Sequence, residues 1–510
     1  MSVPGINLFL NPRLWLLASF LLLPFMLTND SLWLDEGDTA MYATQPDFHS
    51  WSHYLRLDNE ADCQMPLSML FAWLAGQILG TGEWQMRAVN LIWGAIALGG
   101  MFRASRRLQL PWLPLLLVIQ PYFWFYMNEA RPYALQVACG TWLLAAFVEF
   151  YFNEAAGESW AWLLVVSAFF LFLSTILAPV SVTAVILVGA ITALLNHWKP
   201  CRKAMLILLG GAMANIPTAL YYWSTLLRGA KGSQLWHVDL KFFGYVLYEF
   251  TGMTGLGLPT EEIRELARSP HLLAALSAHS LQFALPALGF ALVLAVMIFG
   301  LRRQSPGILH GVQTGLALVL GLAALTFIAG SLVLQKAFWA RHFAPVFPSY
   351  VVLLGLAMAG MFGYRNRIIK WLPFLLAGLL TFSDLNLRFS RVWRKEDYRS
   401  AAQYARQSLA ENKSVWWVAG GFCATYYRVE LAIFHPKTGQ AFCPQVELGK
   451  LEVLQQPDVI IYSKPDIHDP GLVIKKIIEQ DNYQEAARFK SFTIWTNSSH
   501  AQRNPGETDN

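Results

Sequence analysis

The sequence predicts an α-helical polytopic membrane protein of about eleven transmembrane helices with a small C-terminal α/β domain, and three observations carry that prediction. Of its 510 residues, 55% are hydrophobic and 14% charged, with a mean hydropathy of +0.38, whereas soluble chains are about a quarter charged. Apolar runs recur from residue 14 to residue 385, most of them long enough for a hydrocarbon core of about 30 Å. From Arg388 onward charge rises and the apolar runs shorten into strand-like and helix-like patterns.

The first run, Leu14 to Leu27, follows Arg13 and has the length of a secretory signal. The segment after it, Asn29 to Glu36, is bulky and acidic with no small-residue cleavage site, so the run reads as a retained span. Residues 29–83 then form a long, acidic first loop. Its apolar run Pro66 to Leu79 is too short to cross and reads as interfacial, with Trp51, Trp73 and Trp84 suited to headgroup level. Ten more spans are expected over Trp84–Phe102, Pro111–Tyr126, Tyr133–Tyr151, Trp160–Ala178, Pro179–Leu195, Ala204–Trp223, Gln282–Leu301, Gly311–Leu334, Pro345–Phe362 and Ile369–Leu385, with Ala178-Pro179 a kink or a loop.

Lys and Arg collect at Arg103/Arg106/Arg107, Lys199/Arg202/Lys203, Arg302/Arg303 and Arg365/Arg367/Lys370, all on one side of this arrangement. The positive-inside rule makes that side cytoplasmic and places the first loop and the C-terminus outside. The expected domains are a transmembrane domain over 1–387, an exported α/β domain over 388–499 and a disordered tail over 500–510. Within the α/β domain, Glu396–Leu409 reads as helix, and Ser414–Val418, Val459–Tyr462 and Phe489–Trp495 as strands.

Several function classes are disfavoured. The five cysteines show no CxxC and no His at ligand spacing, so neither zinc nor a dense disulfide framework is indicated. Cys423 and Cys443, the two cysteines of the exported domain, can bridge in an oxidising compartment if their Cα atoms lie within roughly 4–7 Å. A net charge of +5 spread over short clusters argues against nucleic acid as a partner. Neither a fixed-period repeat nor a GxGxxG or Walker loop marks a solenoid or a nucleotide site.

The chemistry concentrates in SLWLDEGDTAMYA, residues 31–43, where Asp35, Glu36 and Asp38 stand beside Trp33. One reading is a solvated loop whose acids cap a helix starting near Asp38. The other is a general base at the water edge of a membrane cavity. Further polar groups on the same side are Asp58, Glu60 and Asp62 in the first loop, Arg87, Glu129, Arg131 and Tyr133, and Arg341-His342. Singly, each has a plainer role: Arg87 and Arg341 snorkelling to headgroups, Glu129 pairing with Arg131, His342 as a polar cap.

In this order the motifs WLDEGDTAMYA, MPLSMLFAWLAGQILG with EWQMRAVNLIWG, PYFWFYMNEARPYAL, ARHFAPVFPSYVVLLG and KEDYRSAAQYARQ resemble the GT-C glycosyltransferases, in particular the membrane family of the protein O-mannosyltransferases and lipid A aminoarabinose transferases. The resemblance implies an inverting enzyme that moves a sugar from a polyprenyl phosphate, undecaprenyl phosphate in a bacterial inner membrane, to a glycan, lipid or protein acceptor at the periplasmic face. Asp35 matches the family's catalytic first-loop acid with Glu36 beside it. Arg87, Arg131 and Arg341 are the expected phosphate ligands, and Glu129, Tyr133, His342 and Asp62 the expected contacts to acceptor or sugar. Two departures stand out: Gln64-Met65-Pro66 replaces a basic residue before two prolines, and Gln136 stands where several relatives place a second acid.

The chemistry agrees with the resemblance. A sugar phosphate already carries a good leaving group, so the needs are a base for the acceptor hydroxyl and cations for the departing phosphate. Arginine suits the second task through its planar fork. No metal cofactor is required on this reading, although the three acids leave a divalent ion open. A flippase or transporter for lipid-linked sugars, or an outer-leaflet oligosaccharide ligase or polymerase, would use the same groups. The absence of paired, interrupted spans argues against the transporter.

Overall fold

The computed structural model describes residues 11–497 apart from 59–60, 154–155, 227–237, most of 260–278, 304–306, 433–436 and 445–455; Glu60 and the 500–510 tail lie outside the described residues. In chain order the helices are α1 Pro12–Leu22, α2 Leu34–Ala43, α3 Phe48–Leu57, α4 Pro66–Leu79, α5 Glu83–Leu108, α6 Leu113–Val118, α7 Pro121–Met127, α8 Tyr133–Phe152, α9 Ser159–Ser174, α10 Ala178–Leu195, α11 Arg202–Ala214, α12 Ile216–Thr225, α13 Leu240–Phe250, α14 Ser280–Arg302, α15 Ile308–Leu334, α16 Phe347–Met361 and α17 Arg367–Phe389. After them come α18 Tyr398–Ala410, β1 Val415–Val418, α19 Gly421–Tyr426, β2 Leu431–Ala432, β3 Ala441–Phe442, β4 Val459–Ser463, α20 Pro465–His468, α21 Val473–Gln480, β5 Tyr483–Phe489 and β6 Phe492–Asn497.

Among the described residues, seven helices are long and apolar enough to cross a membrane: Glu83–Leu108, Tyr133–Phe152, Ala178–Leu195, Arg202–Thr225, Ser280–Arg302, Ile308–Leu334 and Arg367–Phe389. Shorter apolar helices occupy Pro12–Met26, Pro66–Leu79, Ser159–Ser174 and Phe347–Met361. The chain is a multi-pass membrane protein.

The expected span Pro111–Tyr126 is not one helix. It is α6 and α7, separated at Ile119 and Gln120. Gln120 precedes Pro121, whose ring drives it out of the helical region to φ −94°, ψ 119°. Between α9 and α10, Thr175 is extended and Pro179 sits in the first turn of the new helix, so Ala178-Pro179 marks a helix start.

Contacts divide the chain into two compact units. The first comprises Met1–Thr28, His49–Phe71 and Arg87–Trp393. Its central helices α8 and α16 are buried nearly all round, unlike the helices that present leucines and phenylalanines outward. Where α14 meets α16, a Cβ on Gly300 would lie 2.0 Å from the Ala357 carbonyl oxygen. Only glycine permits that approach, the small-residue packing expected where no hydrophobic force draws helices together. Arg103 and Arg107, from the first basic cluster, both bond buried Glu149 of α8, at 3.2 and 2.7 Å. Trp51, expected at headgroup level, is instead buried, its indole donating to the Met69 carbonyl at 3.3 Å.

The second unit comprises Asn29–Phe48, Ala72–Met86 and Arg394–Asn510. Its six-stranded sheet has the order β2-β3-β1-β4-β6-β5, with β1 parallel to both β3 and β4 and the β5–β6 hairpin antiparallel on the β4 side. Alternation along β1 sends Val415 and Trp417 to one face, against Tyr398, Ala401 and Ala405 of α18. Trp416 and Val418 go to the other, against Ile474 and Ile478 of α21. The run Phe489–Trp495, expected as one strand, contains the turn between β5 and β6, where Ser491 adopts φ +65°. Cys423 and Cys443 are not joined in a disulfide; the Cys423 sulfur faces α2, 3.5 Å from the Trp33 carbonyl oxygen.

Candidate active site

In the second unit, helix α2 begins at Leu34, four residues earlier than the expected start near Asp38, because Glu36 reaches back to accept the Trp33 N–H at 3.2 Å. Asp35 and Glu36 therefore occupy the first turn, where the helix dipole favours negative charge. The two carboxylates are unlike. Asp35 is half-buried. Glu36 is fully buried and paired with the Lys395 ammonium at 2.9 Å.

Around the same turn, Lys464 pairs with Glu396. The two lysine ammoniums lie 6.0 Å (Lys395) and 5.6 Å (Lys464) from the centroid of the Trp33 ring. Burial, reinforced by Asp38, Glu396 and Glu36, pushes the Cys423 thiol well above its ordinary range, so it stays protonated. The stretch before α2 is tied down as well: the Tyr427 hydroxyl accepts the Leu32 N–H at 2.9 Å and meets Ser31 Oγ and Glu83 Oε1 at 3.0 Å each. Arg399 bonds Glu83 at 2.8 Å and the Asn29 carbonyl at 2.9 Å.

In the first unit, Arg87 near the start of α5 is completely buried and donates to the Thr28 carbonyl at 3.2 Å. Thr28 N–H donates in turn to Asn128 at 2.8 Å, and Asn90, one turn along α5, donates to the Met127 and Glu129 carbonyls at 3.0 and 2.5 Å. A single helical turn thus fixes both the exit of the first helix and the end of α7. Arg87 does not snorkel.

Arg131 makes a fork-to-fork pair with Asp62, Nη1 to Oδ2 at 3.0 Å and Nη2 to Oδ1 at 2.8 Å, both side chains buried. Asp62 lies in a 3-10 turn, Ala61–Gln64, held where Tyr221 donates to the Cys63 carbonyl at 2.6 Å and Gln64 to the Thr225 carbonyl at 3.1 Å. Two residues expected to serve phosphate and acceptor separately are therefore partners. Glu129 and Tyr133 are buried nearby in sequence, the Tyr133 ring 4.8 Å from that of Tyr126, whose hydroxyl donates to Glu249.

Arg341 and His342 fall in the 3-10 turn Ala340–Phe343, both half-buried. Desolvation, with the Arg341 charge beside it, lowers the His342 imidazole to about 3. It is neutral at physiological pH, with Nδ1 3.2 Å from the Trp339 carbonyl oxygen. His342 can donate or accept a hydrogen bond but brings no charge to a phosphate.

Sequence reasoning assigned no site role to Lys395, Glu396, Lys464 or Glu249. A signal existed for the first two, since Lys395-Glu396 begins the motif KEDYRSAAQYARQ after the last span. Lys464 and Glu249 carry no local signature. Among the described residues, no group of three or more His, Cys, Asp or Glu is placed to hold a metal ion.

No family model matches the sequence, and a search of curated proteins finds no match. In fold, the chain is similar to ArnT from Cupriavidus metallidurans bound to undecaprenyl phosphate, with a TM-score of 0.54 at 12% identity over 97% of this chain and 98% of that one. The apo state of the same protein aligns with a TM-score of 0.54 at 12% identity, over 96% of this chain and 98% of that chain. The likeness covers nearly the whole of both chains, and the fold is that of the GT-C glycosyltransferases.

Proposed function

We propose that this chain is an inverting glycosyltransferase that moves a sugar from a polyprenyl phosphate donor to an acceptor hydroxyl at the outer face of a bacterial inner membrane. The observation that carries the reading is the end-to-end likeness in fold to a structure holding undecaprenyl phosphate. Asp35, half-buried in the first turn of α2, is the proposed base. In the reaction the acceptor oxygen attacks the anomeric carbon, its proton passes to the Asp35 carboxylate, and the bond to the phosphate oxygen breaks, releasing polyprenyl phosphate. The transition state is oxocarbenium-like, and no general acid is needed because the phosphate leaves as an anion.

The cations assigned to that anion are Arg87, Arg341 and Arg131. Arg341 is half-buried and Arg87 buried; Arg131 is held by Asp62, which takes two of its five N–H donors. Tyr133, Glu129 and neutral His342 are the proposed polar contacts to sugar or acceptor. No metal is invoked. A glycan, a lipid and a protein remain open as acceptor classes.

Two measurements test the reading. Mass spectrometry of lipids copurifying with the full-length protein is expected to find a polyprenyl phosphate or its glycosylated form. Reconstituted protein given a radiolabelled polyprenyl-phosphate sugar and membrane acceptors is expected to form a singly glycosylated product. Long-chain products would reassign it as a ligase or polymerase, and movement of unaltered donor between leaflets as a flippase. A reporter active only in the periplasm, fused after Asn386, is expected to be active; silence there would reverse the orientation.

A further inference from the structure

We infer that Glu36 is a positioning residue, and that the C-terminal sheet uses its own ligand-binding edge to hold the Asp35 helix. In open α/β sheets, ligands dock outside the carboxyl ends of parallel strands where the strand order reverses direction. That point lies here between β1 and β4: the chain leaves β1 for β2 and β3 on one side, then returns to β4 on the other. The residues at this crevice are Ala419–Gly421 after β1 and Lys464 after β4.

The crevice holds the first turn of α2. A Cβ on Gly420 would come within 2.5 Å of the Leu34 side chain, and one on Gly37 within 2.4 Å of the Cys423 sulfur, so each surface is cut to admit the other. Lys464 adopts a left-handed backbone, φ +44°. That conformation is one a residue with a side chain rarely adopts, and the Lys464 ammonium lies at the Trp33 ring and the Glu396 carboxylate. From the other approach Lys395 reaches Glu36 and the same ring. The indole preceding the helix is thus flanked by two ammonium groups, each neutralised by a buried acid.

Glu36 has both oxygens engaged, one with Lys395 and the other with the Trp33 N–H, and no exposed surface. It fixes the turn on which Asp35 is carried. The domain occupies its own crevice with a piece of the catalytic loop, where a free-standing relative of the sheet would hold a small molecule. This assignment rests on the function proposed above for Asp35, but its structural half can be tested without activity.

The probe is alkylation of Cys423 by N-ethylmaleimide in the full-length protein in detergent, read by peptide mass spectrometry. Native Cys423 is expected to resist modification. Glu36→Gln and Lys395→Met are each expected to raise its modification rate at least tenfold, and the paired exchange Glu36→Lys with Lys395→Glu, or Lys395→Arg alone, to restore protection. In transfer assays the same single variants are expected to lower kcat several-fold with little change in donor KM, recovering in Lys395→Arg. Unchanged protection of Cys423 in both single variants overturns the clamp. Loss of transfer in Glu36→Gln with Cys423 still protected and Lys395→Met fully active makes Glu36 a reacting group and overturns the assignment. A wild-type protein that transfers no sugar sinks the enzymatic reading, while the alkylation result stands on its own.

Discussion

Two first-loop acids leave water in this molecule by different routes. Asp62 meets Arg131 through two parallel hydrogen bonds, with both partners buried. Glu36 meets Lys395 at a single point and gives its other oxygen to a backbone N–H, with the lysine shared over an aromatic ring. The bidentate pair fixes angle as well as distance, so neither partner rotates without breaking both contacts. The lysine pair fixes only distance, and its direction is supplied by the indole and the sheet edge. The arginine pair is a closed joint; the lysine pair is one member of a network.

The sharpest way to break this contrast is to remove one partner of the closed joint. Asp62→Ala or Arg131→Ala strands a buried charge and is expected to cost about 3–5 kcal/mol, read as a drop in thermal unfolding temperature in detergent, with Asp62→Ala plus Arg131→Leu recovering much of it. A small loss in both single variants would mean that Arg131 exchanges partners readily, and would restore it to a direct role at the phosphate.

Arg87 comes next. If it meets the leaving phosphate, Arg87→Ala is expected to lose about 2–4 kcal/mol of transition-state stabilisation, with Arg87→Lys recovering part of it. Full transfer in an Arg87→Ala protein of lowered stability would confine it to holding Thr28. Asp35→Asn is expected to cut transfer roughly 100-fold while the protein folds and retains donor; wild-type turnover in that variant removes Asp35 from the mechanism. The smallest effect belongs to the network: Tyr427→Phe deletes the hydroxyl that accepts the Leu32 N–H and is expected to cost about 1–2 kcal/mol of stability, measured by thermal unfolding with transfer little altered.

Legibility in the sequence follows the range of the force involved. Hydropathy marks spans because burial in lipid is a property of each segment alone, and α5, α8, α14, α15 and α17 lie where their apolar runs place them. The acid motif is visible as local composition. Pairing is not. Nothing near Arg131 indicates that Asp62 rather than Glu129 claims it, and Glu36 and Lys395 stand far apart in the chain. The break at Gln120 was readable from Pro121, but the continuous apolar run masked it. The hairpin turn at Ser491 was hidden because β-rich composition continues on both sides.

The second unit is assembled from Asn29–Phe48, Ala72–Met86 and Arg394–Asn510, and this order sets a clock on its completion. About 360 residues separate Glu36 from Lys395, and at a synthesis rate of roughly 5–20 residues per second the acid waits on the order of 20–70 s for its cation. Through that interval the Asp35 turn has neither the sheet edge nor either lysine to order it. A nascent or truncated chain ending before Lys395 therefore has its membrane helices without a fixed Asp35 turn. The acid turn is completed late in synthesis, after the last span is already made.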